Sequence, residues 1–311
     1  MTNSTVVTEF LLEGFGDAWE PRLLNSMLFL LMYLITLLGN LLIVSATTFD
    51  QNLHTPMYFF LRNLSILDMC YISVTVPNAC ITSLTNNRAI SVAGCATQIF
   101  LVIYFAIVEM MFLTIMAHDR YVAICQPLHY PVTINHQFCV RMTLVSLLSS
   151  LIYAGMHTGN TFRLSFCQSN VVHQFFCDVP SLLSISCSET SSNEILILVS
   201  AIVVCGGCFI FIALSYVRIF STVLKFSNKE RGKAFSTCAP HILVVSVFLS
   251  SISYVCLKPS VTAETTHDII PSVLYTIVPP LLNPIIYSLR NKQVKEAVRK
   301  IILRKIYSGK F

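Results

Sequence analysis

Residues Leu23–Phe49 read LLNSMLFLLMYLITLLGNLLIVSATTF and contain no Lys, Arg, Asp or Glu. A helix needs about 20 mostly apolar residues to cross the hydrocarbon core of a bilayer, and this stretch is longer than that. Its Leu, Ile, Val and Phe residues do not alternate with polar ones, as they would in a membrane barrel. The stretch therefore predicts a membrane-spanning helix.

Six more stretches of the same kind follow. The chain of 311 residues is 55% hydrophobic and 11% charged, with a mean hydropathy of +0.71, which excludes an ordinary water-soluble domain. If a few charged residues are allowed, the second span extends back to Pro56 and the third extends on to Arg120. The further charge-free runs are Met69–Asn87, Ala89–Val108, Met142–Phe162, Ile195–Val217, Ala234–Leu257 and Ile269–Leu289. We expect an all-α membrane protein, a seven-transmembrane helix bundle forming one domain over residues 1–311.

The distribution of Lys and Arg predicts how the bundle faces, because positive residues beside the spans stay in the cytoplasm. Sixteen lie on one side of the predicted spans, and only Arg22, Arg88, Arg163 and Lys258 lie on the other. We expect a plasma-membrane protein with an extracellular N-terminus (1–22), a helix bundle (23–289) and a cytoplasmic tail (290–311). The net charge of +5 is then a signal of topology and predicts no nucleic-acid partner.

Both termini carry further signals. No cleaved signal peptide is expected at the N-terminus, and Asn3 begins a glycosylation sequon on the predicted outer side. The tail segment Asn291–Lys305 predicts a short amphipathic helix at the bilayer surface. Its expected apolar face consists of Val294, Val298, Ile301 and Ile302.

Four of the twelve cysteines lie outside the predicted spans: Cys95, Cys167, Cys177 and Cys187. An even number in an oxidising compartment predicts two disulfides, but four cysteines allow three pairings and spacing alone does not choose among them. Paired C-x-x-C spacing, which would favour zinc, is absent from the sequence.

Two acidic residues, Asp68 and Glu109, fall within predicted spans, where a charge costs several kcal/mol. We hypothesise a sodium or proton site formed by both, with Asn40 and Asn283 nearby. The alternative is a protonated carboxyl satisfied by neighbouring hydroxyls and amides. Apart from this allosteric Na⁺, no cofactor or metal is expected.

The third span places four residues on one stripe. At 100° per residue Val102, Ala106, Glu109 and Arg120 lie within about 60° of one another, along about 27 Å of helix. One rigid element could thus connect a ligand near Val102 to Arg120 at the cytoplasmic rim, although a stripe facing the bundle core would show the same periodicity.

Short sequence motifs lie in or next to several of the predicted spans. The third span ends in His118–Cys125 (HDRYVAIC), and Leu53–Leu61 (LHTPMYFFL) leads into the second. The others are Gly39-Asn40, Ser215-Tyr216, Lys233–Cys238 (KAFSTC) with His241, and Pro280–Asn291 (PLLNPIIYSLRN). From about Asn3 to Arg290 the chain thus resembles the olfactory receptors, a family of rhodopsin-like G-protein-coupled receptors, with His118 where Tyr is usual.

The resemblance implies the disulfides Cys95–Cys177 and Cys167–Cys187. It also implies that Arg120, held beside Asp119 as a local ion pair, is freed on activation to meet a heterotrimeric G protein of the stimulatory olfactory type. The implied coupling residues are Asp119, Arg120, Tyr121, Tyr216, His241, Asn283, Pro284 and Tyr287. No enzymatic activity is expected, because the sequence has no Gly-rich phosphate loop or nucleophile elbow.

By the same resemblance, a small volatile odorant binds in the outer half of the bundle between the third, fifth and sixth spans. The matching positions are Val102, Ile103, Ala106, Ile107, Ser200, Val204, Ile252, Cys256 and Tyr275. This lining predicts a largely hydrophobic ligand with about one polar group. The lack of an acidic residue at the outer face of the third span argues against amines.

The sixth span departs from the family pattern twice. Ala239-Pro240 replaces a small polar pair, and Pro240 is expected to interrupt helical hydrogen bonding. Phe248-Leu249-Ser250 stands where Phe-Tyr-Gly is typical. Two alternatives to an odorant receptor remain: a related receptor for a non-odorant ligand, and an ion transporter or channel using Asp68 and Glu109, against which the absence of inverted repeats counts.

Overall fold

The computed structural model describes residues 7–13, 19–85, 87–167, 170–257, 276–290 and 292–308. Side chains of residues 233, 251–257, 288–290, 292 and 304–308 lie outside this description. In chain order the elements are β1 Glu9–Leu12, α1 Trp19–Phe49, α2 Pro56–Thr85, β2 Ala89–Ser91, α3 Val92–Cys125, α4 Tyr130–Thr133, α5 His136–Thr161, β3 Val171–Val172, α6 Val179–Ser184, α7 Ser191–Ala201, a π-helical segment Ile202–Gly206, α8 Gly207–Val223, α9 Asn228–Leu257, α10 Val278–Arg290 and α11 Lys292–Ser308.

Within the described residues six helices are long and apolar enough to cross a membrane. They are α1, α2, α3, α5, the continuous helix Ser191–Val223 and α9. The seventh predicted span is described only from residue 276, where α10 packs against α1, α2 and α9. Apolar side chains such as Ile152 and Leu148 point outward from the bundle, 73% and 60% exposed, as expected for a surface that faces lipid.

The helices extend past the charge-free runs that predict them. The first begins at Trp19 and the sixth at Asn228, because Lys, Arg and Glu are tolerated in the turns that reach the headgroups. The start of the third span was predicted wrongly: Ala89–Ser91 forms strand β2, and the Ser91 side chain caps α3 by accepting a hydrogen bond from the Gly94 amide at 3.1 Å. α9 continues as a helix through Pro240, although proline donates no backbone hydrogen bond.

A three-stranded sheet, which the sequence did not predict, covers one end of the bundle. β1 lies in the middle, antiparallel to β2 and parallel to β3. Its Phe10 and Leu12 are 0% and 1% exposed, and Glu13 pairs with His173 beyond the strand. We call this end of the bundle the sheet end.

α11 lies at the opposite end and has the predicted amphipathic character with a shifted face. Val294 and Ala297 are buried, and Val298 and Ile301 pack against the core, whereas Ile302 is 43% exposed. Ile302 lies about 80° around the helix from Val294, at the margin of the buried stripe, where a side chain of an interfacial helix can still face lipid.

Lys300 of α11 reaches Asp50 at 3.5 Å, between α1 and a 3₁₀ turn at Gln51–Leu53. The backbone N–H of Asn52, together with its side chain and Lys300, lowers the pKa of the Asp50 carboxyl. This contact ties the tail helix to the turn between the first two spans.

Gly39 allows α1 to approach α10 closely. A Cβ at this position would lie 3.0 Å from Pro284 Cβ, closer than carbon atoms pack. Nearby, Asn40 Nδ2 donates to the carbonyl oxygens of Thr36 and Pro280, at 3.1 and 3.2 Å. Gly39 and Asn40 together therefore fix α1 against the start of α10.

We expect Gly39→Ala to destabilise the protein by about 1–3 kcal/mol, because the added methyl group must push α1 away from Pro284. The thermal unfolding midpoint of the detergent-solubilised chain measures the effect. Gly159→Ala is the matched control, since nothing lies within 4 Å of a Cβ at Gly159 in α5. That control should be neutral or stabilising by up to about 1 kcal/mol. Equal midpoints for the two variants would contradict the close packing.

Candidate functional site

A mostly apolar cavity of about 200 Å³ opens among the helices near the sheet end. Four of the predicted ligand positions line it together on α3: Val102, Ile103, Ala106 and Ile107. The sequence missed the other described lining residues, which are Tyr71, Ile99, Tyr153, His157, Cys177, Asp178, Val179, Pro180, Ile197, Ala201, Cys205 and Phe248. The cavity thus touches α2, α5 and the loop before α7, as well as the third, fifth and sixth spans.

The remaining predicted positions fare differently. Val204 and Ser200 are half-buried on the fifth span but do not form the cavity wall. Leu249, at the family departure, packs on the core, and its neighbour Phe248 lines the cavity instead. Tyr275 and the side chains of Ile252 and Cys256 lie outside the described residues, as does Asn3.

A polar cluster interrupts the apolar wall between α5 and α7. Ser200 Oγ lies 3.0 Å from both Tyr153 Oη and His157 Nε2, and it donates to the Ile197 carbonyl at 3.1 Å. The rings of Tyr153 and His157 are in contact, with centroids 4.4 Å apart and planes tilted by 45°. Ionisable residues within membrane spans are functional candidates, as argued for Asp68, and His157 is such a residue. The sequence therefore already contained a signal for this cluster.

The two disulfides hold the loop that closes the cavity. Cys95 at the start of α3 is bonded to Cys177, and Cys167 to Cys187. Gln98 on α3 reinforces the first, because its Oε1 accepts from the Cys177 amide at 2.8 Å while its Nε2 donates to the Val74 carbonyl at 3.0 Å. The loop is thereby fixed to both α2 and α3.

The buried carboxyl groups meet in the middle of the bundle. Asn283 Nδ2 lies 3.0 and 3.1 Å from the two oxygens of Asp68 and 3.1 Å from Glu109 Oε1. All three side chains are at most 2% exposed, and neither carboxyl has an ion-pair partner among the residues described. The other predicted neighbour, Asn40, instead donates hydrogen bonds to carbonyl oxygens of α1 and α10.

Arg120 lies at the end of the bundle opposite the sheet. Its Nε is buried and makes no hydrogen bond in the described part of the chain. The predicted Asp119–Arg120 ion pair is wrong: Asp119 instead accepts a hydrogen bond from Tyr130 Oη at 2.8 Å. Successive helical residues point about 100° apart, so Asp119 faces α4 while Arg120 faces elsewhere.

Burial, reinforced by the negative charge of Asp119, raises the pKa of Tyr130 well above its ordinary value. Tyr130 therefore keeps its hydroxyl hydrogen throughout the physiological range and remains a donor to Asp119. Tyr121, the third residue of the motif, accepts from Gln126 at 3.3 Å and has Arg218 over its ring.

Two of the predicted activation residues, Tyr216 on the fifth span and His241 on the sixth, are connected to each other and to the backbone of the third span. Tyr216 Oη lies 2.7 Å from His241 Nδ1, and His241 Nε2 lies 3.0 Å from the Leu113 carbonyl. On α10, Tyr287 is buried and its hydroxyl has no partner among the described residues, while Pro284 lies against Gly39. Tyr216 and Tyr287 thus differ: one hydroxyl is engaged and the other is unbonded.

Comparison with known proteins identifies the family. The family model for olfactory receptors matches residues 29–305. Human olfactory receptor 14C36 is 64% identical over 309 residues, covering 99% of each chain, and human olfactory receptor 14A16 is 50% identical over 98% of this chain and 99% of its own. The crystal structure of squid rhodopsin superposes with a TM-score of 0.74, covering 95% of this chain and 89% of its own, at 20% identity.

The squid rhodopsin match supports the seven-helix fold. The relatives match from end to end, so the likeness covers both the cavity and the Arg120 end. The chain accordingly belongs to the olfactory receptor family, as a multi-pass membrane receptor and not an enzyme.

Proposed function

We propose that the chain binds small, largely hydrophobic odorants in the cavity near the sheet end and thereby activates a heterotrimeric G protein that stimulates adenylyl cyclase. The observation that carries this proposal is the position of α3. One helix contributes Val102, Ile103 and Ala106 to the cavity and, about 27 Å along, Arg120 to the opposite end. A ligand that shifts α3 would thus change what Arg120 presents to a partner.

The proposed orientation places the sheet end outside the cell. The sixteen-to-four split of basic residues supports a cytoplasmic Arg120 end. Both disulfides lie at the sheet end, as does strand β1 near the N-terminus, in agreement with an oxidising compartment. An antibody against an epitope at the N-terminus should therefore label intact cells, whereas one against the C-terminus should require permeabilised cells.

A cAMP reporter in cells that express the chain tests the main proposal against a panel of volatile compounds. We expect dose-dependent cAMP production for a subset of the panel, lost in Ala106→Phe, which fills the cavity. Leu148→Phe is the matched control, because Leu148 is 60% exposed on the lipid-facing surface. Responses confined to non-volatile ligands would favour the alternative of a non-odorant receptor. Ion currents independent of G protein would favour a channel.

A second proposal concerns Asp68, Glu109 and Asn283. We propose that they hold a sodium ion, or a proton, that stabilises the resting receptor. Two carboxyl groups share one amide nitrogen in a buried site, so a positive charge is required if both are ionised. The Asn283 oxygen has no partner among the described residues, and oxygen ligands are those that hard cations prefer.

We expect sodium to raise the thermal unfolding midpoint of the purified receptor when it replaces N-methylglucamine at constant ionic strength, because a ligand of the folded state stabilises it. Asp68→Asn should abolish the shift, and Asp50→Asn, at the surface, should preserve it. A parent protein indifferent to sodium would exclude the ion and leave the protonated carboxyl.

A further inference from the structure

A polar cluster of Tyr153, Ser200 and His157 lies where the fourth and fifth spans meet the cavity, and of these three the family resemblance points only to Ser200. Tyr153 and His157 line the cavity from the fourth span, and Ser200 holds both from the fifth. His157 is 5% exposed, so its ring is a buried polar group rather than a surface one. A ligand that reaches this wall meets hydrogen-bonding groups in apolar surroundings, where such bonds decide specificity.

The hydrogen bonds within the cluster determine which of its atoms can donate to or accept from a ligand. Ser200 has one hydroxyl hydrogen, and its contact with the Ile197 carbonyl can only be a donation. The contacts of Ser200 Oγ with Tyr153 and His157 form at the same time only if both of those groups donate to it. His157 then carries its hydrogen on Nε2, and in the neutral ring Nδ1 is an acceptor.

Tyr153 and His157 Nε2 therefore donate to Ser200, and Ser200 donates to the Ile197 carbonyl. Nδ1 of His157 has no hydrogen-bond partner among the residues described. A ligand that fills the cavity and excludes water from this acceptor without pairing it loses about 1–3 kcal/mol. A carbonyl, ether or ester brings no hydrogen and leaves this acceptor unpaired. A hydroxyl group brings a hydrogen that it can donate to Nδ1, and it does so without adding a net charge to the cavity.

We infer that the odorants of this receptor carry a hydroxyl group, as alcohols or phenols, which donates to the Tyr153–Ser200–His157 cluster while the hydrocarbon part fills the apolar cavity. The inference rests on the proposed function, because it names the chemical class of ligand for that cavity. It assigns to His157 and Tyr153 the role of specificity-determining residues.

The test compares compounds that share a carbon skeleton and differ in one group. Purified full-length receptor is titrated with linear alcohols, aldehydes, methyl ethers and amines from hexyl to decyl, and the thermal unfolding midpoint reports binding without any G protein. The same compounds are then applied to cells with the cAMP reporter. We expect at least one alcohol to bind about tenfold or more tightly than its ether and aldehyde, the ratio expected for one buried hydrogen bond.

Two variants locate the preference. His157→Phe removes both ring nitrogens, and Tyr153→Phe removes only one hydroxyl and so keeps the fold if the first does not. His157→Phe should reduce the alcohol-to-ether ratio by about tenfold and leave ether binding unchanged. Tyr153→Phe should reduce the ratio by a smaller factor, because Tyr153 donates to Ser200 and only helps to position the His157 ring. Met156→Leu is the matched control, because Met156 is the neighbour of His157 and faces outward, 39% exposed.

Failure of the inference differs from failure of the proposed function. Ethers, aldehydes or amines that bind as well as alcohols, or a preference that survives in both variants, would overturn the hydroxyl assignment while odorant responses persist. If no volatile compound shifted the midpoint or raised cAMP, the proposed function would fail, and the inference with it.

Discussion

Arg120→Ala is expected to abolish odorant-driven cAMP production while leaving ligand binding and surface expression close to those of the parent. Arginine stays charged at every physiological pH and presents five N–H donors in a rigid fork. In the structure the Nε of Arg120 is buried and makes no hydrogen bond in the described chain, and Asp119 turns to Tyr130. No ion pair between Arg120 and Asp119 therefore has to break before Arg120 meets a partner.

The proposed partner surface explains the size of the effect. The last turn of a helix exposes carbonyl groups without internal partners and carries partial negative charge. A G-protein helix that ends against Arg120 would supply such acceptors. Truncating one member of a buried charged contact costs about 2–5 kcal/mol, which corresponds to a loss of about 30-fold or more in coupling.

Three measurements separate coupling from folding. Ligand shifts of the thermal midpoint should persist in Arg120→Ala, because the cavity lies on the other half of α3. Arg120→Lys should retain part of the signal, since it keeps the charge and loses the fork. Arg141→Ala is the control, because Arg141 is an exposed basic residue at the start of α5. Undiminished cAMP in Arg120→Ala at equal surface expression would rule out this coupling role.

Hydropathy predicted the helices of the bundle well because it operates over whole spans. The positions of α1, α2, α5 and α9 follow from runs of apolar residues, which need no knowledge of neighbours. The sheet could not be predicted in this way. Strand β1 pairs with residues around Ile90 and Val171, which are distant in sequence, so its register depends on the assembled bundle.

The candidate site was predicted in part for the same reason. The α3 positions follow from one helical stripe, whereas Tyr153 and His157 join the cavity only because α5 packs beside α3 and α7. The prediction of an Asp119–Arg120 ion pair was wrong because neighbouring residues of a helix point in different directions, and Asp119 contacts Tyr130 instead. The structure brings Asp68, Glu109 and Asn283 together as predicted. Lipid offers these polar side chains no hydrogen bonds, so they find their partners inside the bundle.

Cys95→Ser is expected to have the second large effect, a loss of most of the folded receptor from the cell surface. The Cys95–Cys177 bond spans a sequence separation of 82, and removing a cross-link of that length costs about 4–5 kcal/mol in the chain-entropy model. Both cysteines are fully buried, and Cys177 also lines the cavity. The substitution should therefore impair ligand binding in the fraction that still folds.

The two disulfides and a free thiol form a graded series for the measurement. Cys167–Cys187 spans a separation of 20, so Cys167→Ser should cost about 1 kcal/mol less than Cys95→Ser. Cys70→Ser, at an exposed free cysteine on α2, should resemble the parent. Surface labelling of an N-terminal epitope and the thermal midpoint should both be lowest for Cys95→Ser, higher for Cys167→Ser and highest for Cys70→Ser.

Cys95→Ser combined with Cys177→Ser should match the single change, because the second substitution removes only a thiol that already lacks its partner. A larger defect in Cys167→Ser than in Cys95→Ser would show that loop length does not govern these bonds.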